Sequence, residues 1–378
     1  MPDRVIDRAR AAPTKLPASA AATKATMSLI FPGAMRRSRS SAVSTPARQS
    51  IAYIDDLNRL TASGSTTMAF NDTVTHRLNQ WAESLQDLGP VILGENTAVT
   101  IDEIRESYVR KMAEHPTSAD VRIEQVNMGG VPATLVTPKD VQGDRVLFYI
   151  HGGAYIVGGP GGYHGLAAAF ATAMKARVYL PDYRLAPEHA FPVPIEDTFA
   201  AYRWLIDQGQ NPESVTFAGD SAGGAMVVSV MVMARNAGVP LPAGGAALSP
   251  WANLEHTGAS MFNREGLDRL NTKAGLDLMA RTFLGDALPN SPEASPVFAD
   301  VRGLPPIIVQ IGESELMLSD AIRLAAHLGE NRVRVSLEIW PGMFHVWHMF
   351  HAELAEGQAA IANAAAFLDQ AITTALAK

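Results

Sequence analysis

The segment NPESVTFAGDSAGGAMVVSV, residues 211–230, fixes one hydroxyl at a glycine-flanked corner between two apolar runs. Ser214 to Ala218 alternates and is β-branched in the manner of a strand, whereas the chain from Ala225 is dense in alanine, methionine and valine and reads as a buried helix. A serine at such a junction can be an ordinary helix cap. The spacing Gly219-Asp220-Ser221-Ala222-Gly223 also satisfies the pattern of a nucleophile elbow, G-x-S-x-G. In that corner a strained serine backbone projects the oxygen above the strand end, and the flanking glycines leave no β-carbon where strand and helix approach. A serine hydroxyl attacks an acyl carbon only when a base takes its proton, a carboxylate orients the base and N–H donors hold the oxyanion that forms.

Each requirement has candidates. The run RVLFYI ends in HGGAYIVGGPGGYHG, residues 151–165, so Gly152 and Gly153 directly follow a strand. Their N–H groups, with that of Ala222, would make a three-donor oxyanion hole. The same composition also describes a flexible glycine-rich loop. His151 precedes the donors and is read as a brace of the loop. His345, in WPGMFHVWHMF, follows a strand and a Pro-Gly turn and is the candidate base. His348 and His351 are read as solvent or interface histidines. Three carboxylates follow the apolar run PPIIVQI: Glu313 and Glu315 on the loop, and Asp320 at a helix start, where a carboxylate is usual for capping and dipole reasons. Any of them completes an order of Ser, acid, His along the chain.

The elements that must position these residues alternate regularly. Strands are expected near 120–127, 131–137, 145–150, 177–181, 214–218, 244–248, 306–311 and 333–340. Helices are expected near 72–88, 101–115, 163–175, 194–208, 222–237, 271–284, 319–329 and 357–376. An antiparallel opening pair followed by repeated β-α units gives an α/β fold, a mostly parallel sheet with helices on both faces. Loops at the carboxyl ends of its strands are where ligands bind.

The totals narrow the chemistry. Of 378 residues, 47% are hydrophobic and 18% charged, ample for a large core. The absence of cysteine excludes thiol catalysis, disulfides and thiolate metal sites. No apolar stretch of about 18 residues suggests a membrane span. Residues 1–67 hold 10 Lys/Arg against 4 Asp/Glu, so they carry +6 and the remainder −13 of the total −7. That arm, rich in Ala, Ser, Thr and Pro, is read as a disordered extension, with a transit peptide as the second reading and a nucleic-acid partner not expected. The cytoplasm is the expected location.

Four stretches together carry a resemblance: HGGA at 151–154, GDSAGG at 219–224, PDYRLAPEHAFPVPIEDTFAAYRWL at 181–205 and LSPWANL at 248–254. Over roughly residues 75–376 the chain resembles the bacterial hormone-sensitive-lipase-like (family IV) esterases, a branch of the α/β-hydrolases. Asp220 before the serine marks the branch with aspartate there, and Ala154 stands where many members have a third glycine. The resemblance implies an α/β-hydrolase fold of about eight strands, a helical cap over residues 68–116 and a catalytic domain over 117–378. It implies His345 as the base and, by matching ELML to the family's Asp-Pro-Leu segment, Glu315 as the acid. It also implies a rigid Pro-rich crossover in which Arg184, Glu188 and Asp197 pair with one another.

The implied activity is a serine carboxylesterase acting on small esters with short to medium acyl chains through an acyl-enzyme, with no cofactor and no metal. Tyr183, Trp251, Met261, Phe262, Met343 and Phe344 are candidates for lining an apolar pocket. The same triad would also serve a lactone or an amide. A ligand-binding protein on this fold would lack the histidine that is present here as His345. A homodimer is compatible with all of these readings.

Overall fold

Long apolar runs bounded by turn residues become the strands at the centre of the molecule. The computed structural model describes residues 70–378, so the disordered extension expected over 1–67 lies outside the described residues. Eight strands form one sheet: β1 (Val121–Met128), β2 (Val131–Pro138), β3 (Val146–Ile150), β4 (Arg177–Pro181), β5 (Val215–Asp220), β6 (Gly244–Leu248), β7 (Ile307–Gly312) and β8 (Val335–Trp340). Their spatial order is β1-β2-β4-β3-β5-β6-β7-β8. The pairs β1/β2 and β2/β4 are antiparallel and the rest are parallel. Every residue of β3, β5, β6 and β7 is buried, as parallel strands covered on both faces must be, whereas the edge strands β1 and β8 are partly exposed.

At the start of the described chain, Asn71 caps α1 (Asp72–Ser84), which stops at Leu85 and is followed by the short α2 (Leu88–Ile92). The helix expected over 72–88 is therefore shorter, and a separate turn of helix follows it across Gly89-Pro90. Pro90 sits in the first turn, where no intrahelical N–H is needed. Helix α3 (Ile101–Met112) opens with a capping box between Thr100 and Glu103. The sheet helices are α4 (His164–Met174), α5 (Val193–Asp207), α6 (Ala222–Asn236), α9 (Leu318–Glu330) and α10 (Ala355–Leu376), with α7 (Ser260–Asn263) and α8 (Lys273–Leu284) in the excursion between β6 and β7. Helices α4 and α10 pack together, as do α5 and α6, which covers the two faces.

Helix α10 is long and apolar enough to cross a bilayer, with a mean hydropathy of 1.2, a feature the sequence reading did not register. Gly357, Ala360, Ile361, Ala364, Leu368, Ala371 and Ile372 recur at helical spacing and are buried. Contacts with β5, β6, β7 and α4 place that stripe over the sheet. Its composition is that of a core-covering helix.

The first three helices belong to the same compact unit as the sheet. Trp81 of α1 stacks on Phe350 at 6.3 Å between ring centroids, and Arg77 pairs with Glu353 at 2.8 Å. Arg105 of α3 reaches further: Nε donates to the Ile156 carbonyl at 2.9 Å and Nη2 to the Ala186 carbonyl at 2.8 Å. It also pairs with Glu188 at 2.7 Å. Glu188 therefore does not pair inside the Pro-rich crossover as the resemblance implied. Only Arg184 and Asp197 do, in a two-pronged contact of 2.7 Å on each prong.

Because Arg105 satisfies two carbonyls of buried residues while Glu188 is exposed, the two substitutions should differ. Arg105→Ala is expected to lower unfolding free energy by about 2 kcal/mol, and Glu188→Ala by less than about 1 kcal/mol. Urea unfolding of the two variants checks this. Equal losses would mean that the apolar faces alone hold these helices.

Candidate active site

Strand β5 ends at Asp220 and α6 begins at Ala222, so Ser221 alone makes the turn, at φ 54 and ψ −118. That conformation is costly for a residue with a β-carbon and persists only where its surroundings fix it. Here they do. Ser221 N–H donates to the Leu248 carbonyl at 2.9 Å, and its carbonyl accepts from Ala225 N–H at 3.1 Å and Trp251 N–H at 3.0 Å. A β-carbon at Gly223 would collide with the carbonyl oxygens of Ile150 and His151, and one at Gly219 with the Gly223 carbonyl. The corner is an elbow, and no side-chain capping bond forms.

The structure brings Ser221 together with His345 and Glu315, each 7% exposed or less. His345 Nε2 lies 3.0 Å from Ser221 Oγ, and His345 Nδ1 lies 2.7 Å from Glu315 Oε2. A carboxylate only accepts, so Nδ1 carries the proton and Nε2 is the free acceptor. Glu315 Oε1 accepts from Gly312 N–H at 2.6 Å and from Ser249 Oγ at 2.8 Å. Burial alone would depress His345. The Glu315 hydrogen bond and charge, with Asp268 and Asp220 adding, outweigh burial and hold the imidazole above its ordinary value. Burial raises the Glu315 carboxyl against the bonds from His345 and Gly312.

The glycine-rich loop after β3 is not open. Tyr155, Ile156, Val157 and Tyr163 are all buried, and Gly153, Ala154 and Tyr155 adopt positive φ of 112, 55 and 63. The Gly152 N–H, expected as an oxyanion donor, is already committed to Tyr163 Oη and Asp220 Oδ1, each at 3.1 Å. Among the described residues the N–H groups of Gly153, Ala154 and Ala222 have no acceptor within the chain. Asp220 also accepts from Tyr149 Oη and Tyr163 Oη, each at 3.0 Å, and burial pushes its carboxyl up to about 6 against those bonds. Nothing in the sequence signalled this bracing role. Asp220 and Tyr149 lie 71 residues apart, and only the pairing of β3 with β5 joins them.

The other candidates separate cleanly. His151 is buried, and burial pushes it down to about 4, so it is neutral near pH 7. Its ring stacks on Tyr183 at 4.2 Å, and Tyr183 Oη donates to the His151 carbonyl at 2.7 Å. Tyr183 thus braces the loop. Trp251 is buried with Nε1 donating to His256 at 2.8 Å. Met261, Met343 and Phe344 are buried, whereas Phe262 is 67% exposed with Lys273 over its ring. Phe262 is a surface side chain. Glu313 turns away to pair with Arg264 at 3.0 Å. His348 is no solvent histidine: it is buried, hydrogen-bonded to Gln310 Oε1 at 3.0 Å, and pushed down to about 3 by burial. His351 is half-buried beside it.

Comparison with known proteins supplies independent findings. A family described as "alpha/beta hydrolase fold" matches residues 147–349. The chain is 42% identical to an acetyl-hydrolase of Streptomyces hygroscopicus over 243 residues, which are 64% of this chain and 81% of that protein. It resembles the crystal structure of an esterase from the bacterial hormone-sensitive lipase family at a TM-score of 0.75 and 37% identity, covering 81% of this chain and 100% of the other. The crystal structure of EstE5 soaked with p-nitrophenyl butyrate matches at a TM-score of 0.69 and 36% identity, covering 77% of this chain and 99% of the other.

Asp320, the rival acid, does not reach the histidine. It lies fully buried in the first turn of α9, caps nothing, and neither oxygen has a well-formed hydrogen bond. Burial holds its carboxyl well above the usual range. Asn253 is its polar neighbour, and the Asn253 amide oxygen is likewise without a donor. A raised carboxyl stays protonated in the folded chain at a pH where the unfolded chain has lost the proton. Its contribution to stability is therefore largest below about pH 4 and falls as pH rises toward the folded value. Asp320→Asn removes that slope, because the amide does not titrate. The variant should gain melting temperature over the parent, more at pH 7 than at pH 4, with kcat unchanged. Thermal unfolding at the two pH values tests this, and an equal shift at both would mean that Asp320 is ionised in the fold.

Proposed function

This chain belongs to the α/β-hydrolase family, in its bacterial hormone-sensitive-lipase-like esterase branch, and on that premise we propose how its residues carry out ester hydrolysis. It is a carboxylesterase. The observation that carries the mechanism is the unbroken hydrogen-bond chain from Ser221 Oγ through His345 to Glu315. Ser221 Oγ attacks the ester carbonyl carbon while His345 Nε2 takes its proton. The tetrahedral oxyanion is held by the N–H groups of Gly153, Ala154 and Ala222, with Gly152 set aside because its own N–H is engaged. As the intermediate collapses, the C–O bond to the alcohol breaks and His345 returns the proton to the leaving oxygen. Water then attacks the acyl-enzyme with His345 again as base, and Ser221 leaves with the proton.

Glu315 sets the Nδ1–H tautomer and stabilises the imidazolium that forms at each step. Small esters with short to medium acyl chains, met in the cytoplasm, are the proposed substrates. The similarity to a protein named acetyl-hydrolase and to EstE5, whose crystals were soaked with p-nitrophenyl butyrate, supports the short-acyl end of that range.

Ser221→Ala should lower kcat on p-nitrophenyl butyrate by about 10⁴-fold or more without loss of folding, since the hydroxyl fills no core cavity. Glu315→Gln should cut kcat heavily with little change in KM, because an amide carries no charge for the imidazolium and can select the wrong tautomer. Retention of most activity by purified Ser221→Ala protein would overturn the mechanism. The pH dependence has a definite sign. Only neutral His345 accepts the Ser221 proton, and its pKa is raised. kcat/KM should therefore fall on acidification through a midpoint above the ordinary histidine value of about 6.5. A midpoint well below that, in a steady-state pH profile, would assign the base elsewhere.

A further inference from the structure

Ser249 directly follows β6, in a position that neither the elbow nor the histidine loop makes prominent. It is fully buried and adopts φ 45, in the region that favours glycine, while its N–H donates to the Gln310 carbonyl of β7 at 2.7 Å. Its hydroxyl meets two groups at once. Oγ lies 2.8 Å from Glu315 Oε1 and 3.2 Å from the Val346 nitrogen. The peptide N–H can only donate, so the single hydroxyl proton goes to Glu315 and the oxygen accepts from Val346.

Both partners need holding. Glutamate has one more rotatable bond than aspartate, so its carboxylate can turn unless the oxygen that does not face the histidine is fixed. Gly312 N–H and Ser249 Oγ both bond that oxygen, Oε1, and leave Oε2 directed at His345 Nδ1. Val346 is the residue after His345, and its φ of 53 is an outlier for a β-branched side chain. Such a conformation persists only where neighbouring contacts over-determine it. The Ser249 oxygen supplies one of those contacts.

We infer that Ser249 is a positioning residue for the reaction. Its hydroxyl bridges the acid and the histidine loop, and through them sets the distance and angle between Glu315 and His345. The inference rests on the proposed roles of Ser221, His345 and Glu315, and its physical content is separable from them, because the His345–Glu315 hydrogen bond exists with or without turnover.

The test is Ser249→Gly in the full chain. Glycine favours the backbone conformation found there, so the variant loses the hydroxyl while relieving the backbone. Ser249→Ala, which keeps the β-carbon and removes Oγ alone, serves where the glycine variant fails to fold. Two quantities are read beside the melting temperature: kcat and KM on p-nitrophenyl butyrate, and the far-downfield proton NMR signal of His345 Nδ1–H bonded to Glu315. The expected result is a fall in kcat of about 10- to 100-fold, little change in KM, and a downfield proton that moves upfield or is lost to exchange. Wild-type kcat in a folded variant would overturn the inference. So would a lowered kcat with the downfield proton unmoved, since activity would then be failing for another reason. The same proton signal recorded in Ser221→Ala keeps the two readings distinct: it should persist there, whatever that variant does to activity.

Discussion

The close approach of α6 to β3 sets the geometry on which the site depends. Gly223 lies against the carbonyls of Ile150 and His151, so any side chain there would push the helix off the strand. That contact fixes more than the helix. The Ala222 amide is on α6, and the Gly153 and Ala154 amides are on the loop that leaves β3. Their separation is therefore set by the width of one glycine. Because β5 is paired with β3 on one side and β6 on the other, the elbow also registers Ser221 against Leu248 and Trp251. The acid and histidine loops leave β7 and β8, next along the sheet. Parallel strands bring all these chain ends to one edge, and the glycine lets them meet at hydrogen-bonding distance.

Three buried carboxyl groups show how surroundings decide what a burial-raised acid does. Burial pushes each of them upward. Asp220 receives two phenolic hydroxyls and a peptide N–H, and becomes a brace between β5 and the β3 loop. Glu315 receives Gly312 N–H and Ser249 Oγ on one oxygen and presents the other to His345. Asp320, in the first turn of α9, receives no well-formed bond, and burial holds its carboxyl well above the usual range. In the sequence all three are acidic residues near a strand end or a helix start. What separates them is the donor set, and the donors come from elsewhere in the chain.

That difference explains how far the sequence could be read. The central strands and the helices α1 and α3 were legible because their signals are local: continuous apolar runs for β3, β5 and β7, and helical spacing for α1 and α3. Ser221 and His345 stand out as candidates because each sits in a short pattern tied to a strand end, and the structure brings the two within hydrogen-bonding distance. Glu313 and Glu315 are two residues apart on one loop, and local pattern cannot rank them; only the likeness to known esterases favoured Glu315. The structure turns Glu313 to Arg264 instead. Gly152 was read as a donor because it follows a strand, but its N–H is taken by Asp220, 68 residues further on. Ser249 lies in a stretch that carried the resemblance, yet neither its contact with Glu315 nor that of Tyr149 with Asp220 was signalled, since those partners lie 66 and 71 residues away.

The loop after β3 shows why this matters for chemistry. Its composition suggests mobility, yet it is clamped from three directions. From the end of β5, Asp220 holds the Gly152 amide, with Tyr163 at the far end of the loop bonded to both. From α3, Arg105 holds the Ile156 carbonyl. From α8, Phe283 stacks on Tyr155 at 3.7 Å with the rings 8° from parallel. Donors that stabilise a developing oxyanion are most effective when they need not reorganise as charge appears. A free glycine loop would turn its amides toward water and lose that advantage. Positive φ at Ala154 and Tyr155 is strain that such a loop would release, so its persistence depends on the clamps. The glycines allow the tight path, and the buried aromatic and charged side chains around them hold it in one conformation.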